Sequence, residues 1–247
     1  MKYYEAILEL KCFSVSELAQ YVGNKESTIY SLLRDYIKKG LVRQVRRNLY
    51  VAVSLETGEP VANPYQIATK LTATSYVSHR TAFTYYGYID QVSYEMFIST
   101  DSRFRNFEFD EMDYCCIMSK CNLGISEMQG VRVANIERAV IDYINQFDHI
   151  GGLEELLKGL AMIPFLSEDK LMTYLEFYGK SFLYQKTGYL LEHFQKELKL
   201  SDTFVVKCME KKSKSIRYFT ESFPKDKLVY NGKWGLMVPY KLLHISD

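Results

Sequence analysis

One segment constrains the fold more than any other: residues 24–40, where apolar side chains recur at helical spacing. Positions i, i+3, i+4, i+7 and i+8 share one face of an α-helix, so the segment predicts an amphipathic helix packed on a core and ended by Gly40. The predicted core-facing stripe is Ile29, Leu32, Leu33, Tyr36 and Ile37. The opposite side is polar and basic, with Ser27, Thr28, Ser31, Arg34 and Lys38.

Two shorter helical patterns precede this segment. Tyr4, Ile7, Leu8 and Cys12 recur at helical spacing and predict a first helix. Ser14 and Glu17 have the spacing of a capping box, which predicts the start of a second helix. Gly23 then suits a helix end, and Asn24 is predicted to cap the third helix.

A hairpin follows the third helix. Residues 41–45 and 48–53 are predicted to pair, with a basic turn between them. Three helices and a basic hairpin are typical of a winged helix-turn-helix that binds DNA. We therefore expect Ser27, Thr28, Ser31 and Arg34 to face the major groove. The residues expected on phosphate or in the minor groove are Lys25, Lys38, Arg43, Arg46 and Arg47.

The charge distribution agrees with this interpretation, although the net charge is only +1. Residues 1–53 carry nine basic and five acidic side chains, or 9 − 5 = +4. The remainder carries 22 basic and 25 acidic side chains, or 22 − 25 = −3. This asymmetry places a basic face at one end of the chain, as a nucleic-acid-binding module requires.

The chain as a whole is predicted to be an α+β protein. We expect residues 1–55 to form the winged helix-turn-helix domain and residues 61–247 a mixed α/β region, with an optional subdivision near residue 150. Alternating apolar residues between 92 and 118 predict an antiparallel sheet. Helical patterns dominate after Gly151-Gly152, and the tail from Thr203 is predicted to be strand-like.

No pattern predicts a catalytic site, a metal site or a cofactor. Asp101, Glu108, Asp110, Glu111 and Asp113 could hold Mg²⁺ in a nuclease, but alternation with Phe107 and Phe109 favours the solvated face of a hairpin. Cys115, Cys116 and Cys121 lack the second ligand pair of a zinc site, and His79 is expected to be a surface or packing residue.

Two alternatives stay open beside a DNA-binding regulator. One is a metal-dependent, nuclease-like DNA-processing protein, and the other is a winged helix that serves as a protein-docking module. The five cysteines form no disulfide framework, and no apolar stretch approaches the length of a membrane span. We therefore expect a cytoplasmic protein without a membrane partner.

Seven segments of this chain resemble the AbiEi family of antitoxins and transcriptional regulators, from bacterial abortive-infection systems. The likeness extends over nearly the whole chain and consists of packing and capping patterns rather than a catalytic signature. The segments are residues 46–51, 63–71, 76–87 and 133–142, the pair Gly151-Gly152, and residues 188–192 and 234–236.

The resemblance implies a type IV toxin–antitoxin function in phage defence. The winged helix would repress the protein's own operon by binding its promoter or operator as double-stranded DNA. The α/β portion would counter a co-encoded nucleotidyltransferase-like toxin without needing a tight complex. A dimer on DNA fits the two-fold operators that winged helices often bind.

Overall fold

The computed structural model describes residues 2–240, and the protein is of the mixed α+β class. Contacts divide the chain into two compact units. Unit 1 holds residues 2–77, 93–122 and 127–133, and unit 2 holds residues 78–92, 123–126 and 134–240. The chain thus passes several times between the two units. The division into domains 1–55 and 61–247 stays a prediction.

The N-terminal part of unit 1 contains three helices and a small antiparallel sheet of strand order β1-β3-β2. Its elements are α1 (Tyr4–Leu10), β1 (Cys12–Phe13), α2 (Val15–Tyr21), α3 (Glu26–Lys38), β2 (Val42–Arg46) and β3 (Leu49–Ala52). Their order and type agree with the local patterns in the sequence.

Helix ends in this segment largely follow the predicted signals. The Ser14–Glu17 capping box is present, and Gly23 and Gly40 take positive φ just beyond α2 and α3. The predicted cap at Asn24 is wrong. Lys25 precedes the first turn of α3, while the Asn24 Oδ1 accepts a hydrogen bond from the Lys25 backbone N–H at 2.8 Å. Asn24 lies one residue too early to reach the free N–H groups of the helix.

The core beneath α3 is formed by part of the predicted stripe. Ile29, Leu33 and Tyr36 are buried in one cluster with residues of α1, α2 and the sheet, including Leu18. Leu32 is only partly buried, and Ile37 is 40% exposed, so the prediction that Ile37 faces the core is wrong. The buried stripe is narrower than the apolar pattern because α3 packs on the core along one line of side chains.

The rest of unit 1 is built on a mixed sheet of strand order β6-β7-β5-β4-β9-β8. Helix α4 leads into it and begins with a capping box between Asn63 and Gln66. The elements are α4 (Pro64–Thr69), β4 (Tyr76–Val77), β5 (Glu95–Thr100), β6 (Phe107–Phe109), β7 (Met112–Met118), β8 (Ile125–Met128) and β9 (Val131–Ala134).

The predicted antiparallel pairing between residues 92 and 118 is right for one pair of strands and wrong for another. Strands β6 and β7 form an antiparallel hairpin, whereas β5 and β7 are parallel. The chain leaves β5, runs back along the outer edge as β6, and returns as β7 between them. Alternation in sequence reports which face a side chain occupies and carries no information on strand direction.

Unit 2 is mainly helical and ends in a three-stranded sheet of order β10-β12-β11. Its elements are α5 (His79–Tyr85), α6 (Ile136–Gln146), α7 (Gly152–Met162), α8 (Glu168–Tyr178), α9 (Ser181–His193), α10 (Asp202–Lys211), β10 (Arg217–Tyr218), β11 (Leu228–Asn231) and β12 (Leu236–Pro239). None of the described helices has the length and apolar character needed to cross a bilayer.

The prediction of a strand-like tail from Thr203 is wrong for its first part. Ser201 caps α10 through the Phe204 backbone N–H, and Phe204 and Cys208 are buried at i and i+4. Strands follow from Arg217 onward. Residues 241–247 lie outside the described part of the chain.

Charged side chains are buried inside unit 2 in matched pairs. The Arg138 Nε donates to the Asp142 Oδ1 at 2.7 Å, and the two side chains are 0% and 1% exposed. The Tyr178 hydroxyl donates to the same carboxylate oxygen at 2.5 Å. Arg80 pairs with Glu155 in the same manner. Such groups tolerate burial because each is paired and hydrogen-bonded.

Candidate nucleic-acid interface

The outward face of α3 is polar and continuous along the helix. Ser27, Ser31, Arg34 and Lys38 are spaced at i, i+4, i+7 and i+11, which places them within about 60° of one another around the helix axis. The buried residues of α3 lie about 200° away on the same helical projection. A helix anchored on one side therefore presents hydroxyl and basic groups on the other.

Every predicted α3 contact residue is exposed. Lys25, Ser27, Thr28, Ser31, Arg34 and Lys38 all lie on the surface. Within residues 2–240, the three cations of this set form no ion pair with a carboxylate. The Ser31 hydroxyl donates to the Ser27 backbone carbonyl at 3.3 Å, a bond that an external acceptor can replace. This surface is free to donate hydrogen bonds to an anionic partner.

Tyr30 belongs to the same region and was missed by the sequence reasoning. Its ring is 46% exposed and lies between the polar face and the buried stripe of α3. Helical spacing in the sequence could have predicted its exposure, because position 30 lies off the buried stripe of Ile29 and Leu33. An exposed aromatic ring beside arginine and lysine suits packing against sugar or a base edge.

The hairpin after α3 is short and closely tied to the helices. Strands β2 and β3 are joined by Arg47 and Asn48, with a register shift between Gln44 and Arg46. Asn48 takes a positive φ of 60°, and its Oδ1 accepts a hydrogen bond from the Val15 backbone N–H at 3.2 Å. Arg47 is exposed at the tip. The turn is held in place, and Arg47 is its outward cation.

Arg43 is engaged within the protein. One of its Nη atoms donates to Asp110 at 2.8 Å and the other donates to the Gly58 carbonyl at 2.8 Å. Glu59 lies 4.0 Å away. The positive charge of Arg43 is therefore balanced by neighbours from distant parts of the sequence.

Arg46 is also turned toward the protein. Its guanidinium carbon lies 5.6 Å from the ring centre of Phe104 and 6.0 Å from that of Phe107, within the range of cation–π contacts. Its Nη1 is buried without a hydrogen-bond partner among the described residues. The structure thus separates the predicted basic residues into an outward set on α3 and Arg47, and an inward pair.

The acidic residues considered for a metal site lie mostly in the β6–β7 hairpin, where Glu108 and Asp113 are cross-strand partners. Asp110 and Glu111 form the turn of the β6–β7 hairpin, both with positive φ, and Asp110 pairs with Arg43. Asp101 is held by the hydroxyls of Thr74 and Ser102. No group of three or more histidine, cysteine or acidic side chains suited to a metal occurs within the described residues.

The remaining candidates from the sequence are packing residues or isolated thiols. His79 is buried in unit 2, where desolvation lowers its pKa to about 4. Its burial agrees with the packing position and excludes the surface position. All five cysteines are free, and burial raises the pKa of Cys12 and of Cys208 to about 12. Thiols of this kind are neutral at physiological pH.

Comparisons with known proteins bear on the fold. No protein-family model matches this chain, and no curated protein matches it. A solved structure that is similar is the crystal structure of the RV2827C protein from Mycobacterium tuberculosis. It matches 100% of this chain and 94% of its own with a TM-score of 0.68 and 14% sequence identity. At that identity, this chain and the mycobacterial protein share a fold, and the likeness extends no further.

Proposed function

We propose that this protein is a DNA-binding transcriptional repressor and antitoxin of an AbiE-like type IV toxin–antitoxin system. Its N-terminal segment acts as a winged helix-turn-helix that binds the promoter of its own operon. The α/β remainder counters a nucleotidyltransferase-like toxin encoded beside it. The observation that carries the proposal is the outward face of α3, where Ser27, Ser31 and Arg34 are exposed and Arg34 forms no ion pair with a carboxylate within residues 2–240.

The chemistry of this face supports base readout. Arginine donates two hydrogen bonds to guanine, and serine and threonine hydroxyls bond to either base type in the major groove. The first turns of α3 carry Ser27, Thr28 and Ser31, which are short enough for close approach of the helix to base edges. Arg34 and Lys38 follow at the distance of one further turn each.

Phosphate contacts are assigned mainly to Lys25, Lys38 and Arg47. These side chains are exposed on α3 or on the hairpin turn, and their charge is unopposed by an ion pair within residues 2–240. Arg43 contributes less because it would first have to leave Asp110. Arg46 contacts Phe104 and Phe107 inside the protein, so its assigned role is to position the hairpin turn rather than to bind phosphate.

A mobility-shift assay on the DNA upstream of the gene tests the repressor half. The full-length protein should bind that duplex more tightly than a scrambled duplex of equal length. Arg34→Ala should remove most of this preference, since one bidentate contact contributes about 1–3 kcal/mol of discrimination. Lys196→Ala, an exposed cation of unit 2, is the matched control. Equal binding of both duplexes by the wild-type protein at every salt concentration would contradict the proposal.

The antitoxin half is tested by growth. A nucleotidyltransferase gene adjacent to this one should arrest growth when expressed alone, and co-expression of this protein should restore growth. Arg34→Ala should rescue growth as well as wild type while failing to repress the promoter, because the two activities are assigned to different parts of the chain. Loss of rescue by a folded Arg34→Ala protein would assign both activities to the α3 face.

A further inference from the structure

We propose that unit 1 contains a second anion site, a cavity that binds a phosphate group. The cavity has a volume of about 630 Å³ and lies beside the Arg47-Asn48 turn. Arg46, Arg47, Lys70 and Arg132 line it, together with Glu17 and Glu127. Four separate segments of the chain contribute these side chains, so the sequence alone does not reveal the cluster.

The charge of the cavity favours an anion. Four cations and two carboxylates give 4 − 2 = +2. The Lys70 Nζ is 2.7 Å from the Glu17 Oε1, which accounts for one carboxylate. Burial alone would raise the pKa of Glu17, but hydrogen bonds from Lys70 and Ser14 outweigh it and hold that pKa below its ordinary value. The three arginines therefore face one remaining carboxylate, Glu127.

The hydrogen bonds of the arginines leave donors unused. Arg132 donates one Nη1 bond to the Ala73 carbonyl at 2.6 Å, and this bond fixes the guanidinium beside the cavity. Arg47 is exposed. The other donors of Arg132 and those of Arg47 are available to an anion, and phosphate oxygens match the guanidinium fork best.

The ligand is defined by its phosphate chemistry, which has two sources. The first is the backbone of a nucleic acid, in which case the inference rests on the proposed function and adds a contact behind the hairpin turn. The second is a free phosphate or nucleotide, and the volume lies within the roughly 300–1,000 Å³ of ligand pockets. The second source does not depend on DNA binding by α3.

The test compares full-length wild type with Arg132→Gln and Arg47→Gln. Calorimetry measures the binding of inorganic phosphate and of a nucleoside monophosphate, with acetate at equal ionic strength as the control anion. Fluorescence anisotropy measures a labelled duplex across a salt series. Arg105→Gln, an exposed arginine of the same unit outside the cavity, is the charge-matched control. In the free-anion titrations, Arg47→Gln covers the case in which Arg132→Gln unfolds, because Arg47 is exposed.

Each source gives its own result. For a free ligand, phosphate or nucleotide binds the wild type and both variants lose roughly tenfold in affinity, as expected when a charge-assisted hydrogen bond is removed. For DNA, the free anions do not bind, and Arg132→Gln lowers the salt slope by about 0.9 relative to Arg105→Gln. Arg47 is already assigned to the phosphate backbone, so only Arg132→Gln decides this arm. If the wild type binds phosphate or nucleotide but not the duplex, the proposed anion site is supported and the proposed DNA-binding function is refuted.

The cavity proposal is overturned by one combination of results. It fails if neither phosphate nor nucleotide binds and if Arg132→Gln matches Arg105→Gln in duplex affinity and salt slope. A wild type that still prefers the upstream duplex in that experiment would leave the α3 proposal intact. The two proposals are therefore separable in a single set of titrations.

Discussion

The buried charged side chains of unit 2 and the charged side chains on α3 of unit 1 are placed in opposite ways. In unit 2, Arg138 and Asp142 are buried against each other, and the Lys186 ammonium lies 4.3 Å from the ring centre of Phe147. Burial lowers the pKa of Lys186 to about 8. In unit 1, Arg34 and Lys38 point outward from a helix whose other side is core. The buried charge of unit 2 is part of the packing, whereas the charge on α3 has no structural task.

The difference separates stability from binding. A buried cation that contacts an anion or an aromatic ring is part of the packing between helices. Its loss should lower the free energy of unfolding and leave the exposed binding surface unchanged. An exposed cation without a partner contributes little to folding, so its loss should be visible only through a ligand. Substitutions of the buried cations should therefore change the free energy of unfolding, and substitutions of the exposed cations should change the affinity for a ligand.

The largest expected effect is on the buried pair. Arg138→Ala leaves the Asp142 carboxylate buried without its cation and should lower the free energy of unfolding by about 3–5 kcal/mol. Urea denaturation followed by circular dichroism measures this change. The double variant Arg138→Met/Asp142→Leu should recover part of the loss, because neither charge then remains. If Arg138→Ala lowered the free energy of unfolding by less than about 1 kcal/mol, the proposed difference between buried and exposed charges would be wrong.

The next effect is a pH dependence from His79. Burial lowers its pKa from 6.5 to about 4, opposed by Asp142 and assisted by Arg138. Because the unfolded chain binds a proton that the folded chain excludes, the stabilisation present above pH 6.5 is lost as the pH falls toward about 4. The loss should reach about 3 kcal/mol at most.

The His79→Asn variant isolates this contribution. Asparagine tolerates the left-handed backbone at position 79, where φ is 51°. Urea unfolding of this variant should show less pH dependence between pH 6.5 and pH 4 than the wild type. His149→Asn, an exposed histidine of the same unit, should retain the wild-type curve. Identical curves for both variants would remove His79 from the explanation.

The smallest effect distinguishes the two arginines of the hairpin. Arg43 and Asp110 are 40% and 42% exposed, so Arg43→Ala should change the free energy of unfolding by less than about 1 kcal/mol. It should also change the salt dependence of DNA binding less than Arg47→Ala does, because Asp110 already balances the charge of Arg43. A larger salt effect for Arg43→Ala would place Arg43 on the phosphate backbone.

Local signals in the sequence predicted helix starts and the orientation of α3. The capping box at Ser14 joins residues three positions apart, so its chemistry is complete within one turn. The outward position of Ser27, Ser31 and Arg34 follows from periodicity alone. Such features depend on neighbours in sequence and require no knowledge of the tertiary fold.

Features that depend on distant residues could not be predicted. Arg43 pairs with Asp110, which lies 67 positions away in the sequence. Lys70 and Arg132 line the same cavity as the hairpin turn, although both are distant from it in sequence. The parallel pairing of β5 with β7 depends on the path of the chain between them. No composition or period encodes these contacts, because they arise from packing.

The segments that resemble the AbiEi family include packing contacts. Gly188 lies so close to Trp234 that a Cβ atom at position 188 would overlap the indole, and both residues belong to those segments. Arg80 and Arg138, from two further segments, are buried in unit 2. These residues contribute to the packing of unit 2, while the contacts proposed for DNA lie mainly on α3.

The most direct measurement is the salt dependence of duplex binding by the double variant Arg34→Gln/Lys38→Gln. Two fewer neutralised phosphates should lower the slope of log affinity against log salt by up to about 1.8. The control Lys158→Gln/Lys196→Gln, with the same loss of charge from exposed positions in unit 2, should keep the wild-type slope. Equal slopes for the two double variants would contradict the assignment of the α3 face to DNA.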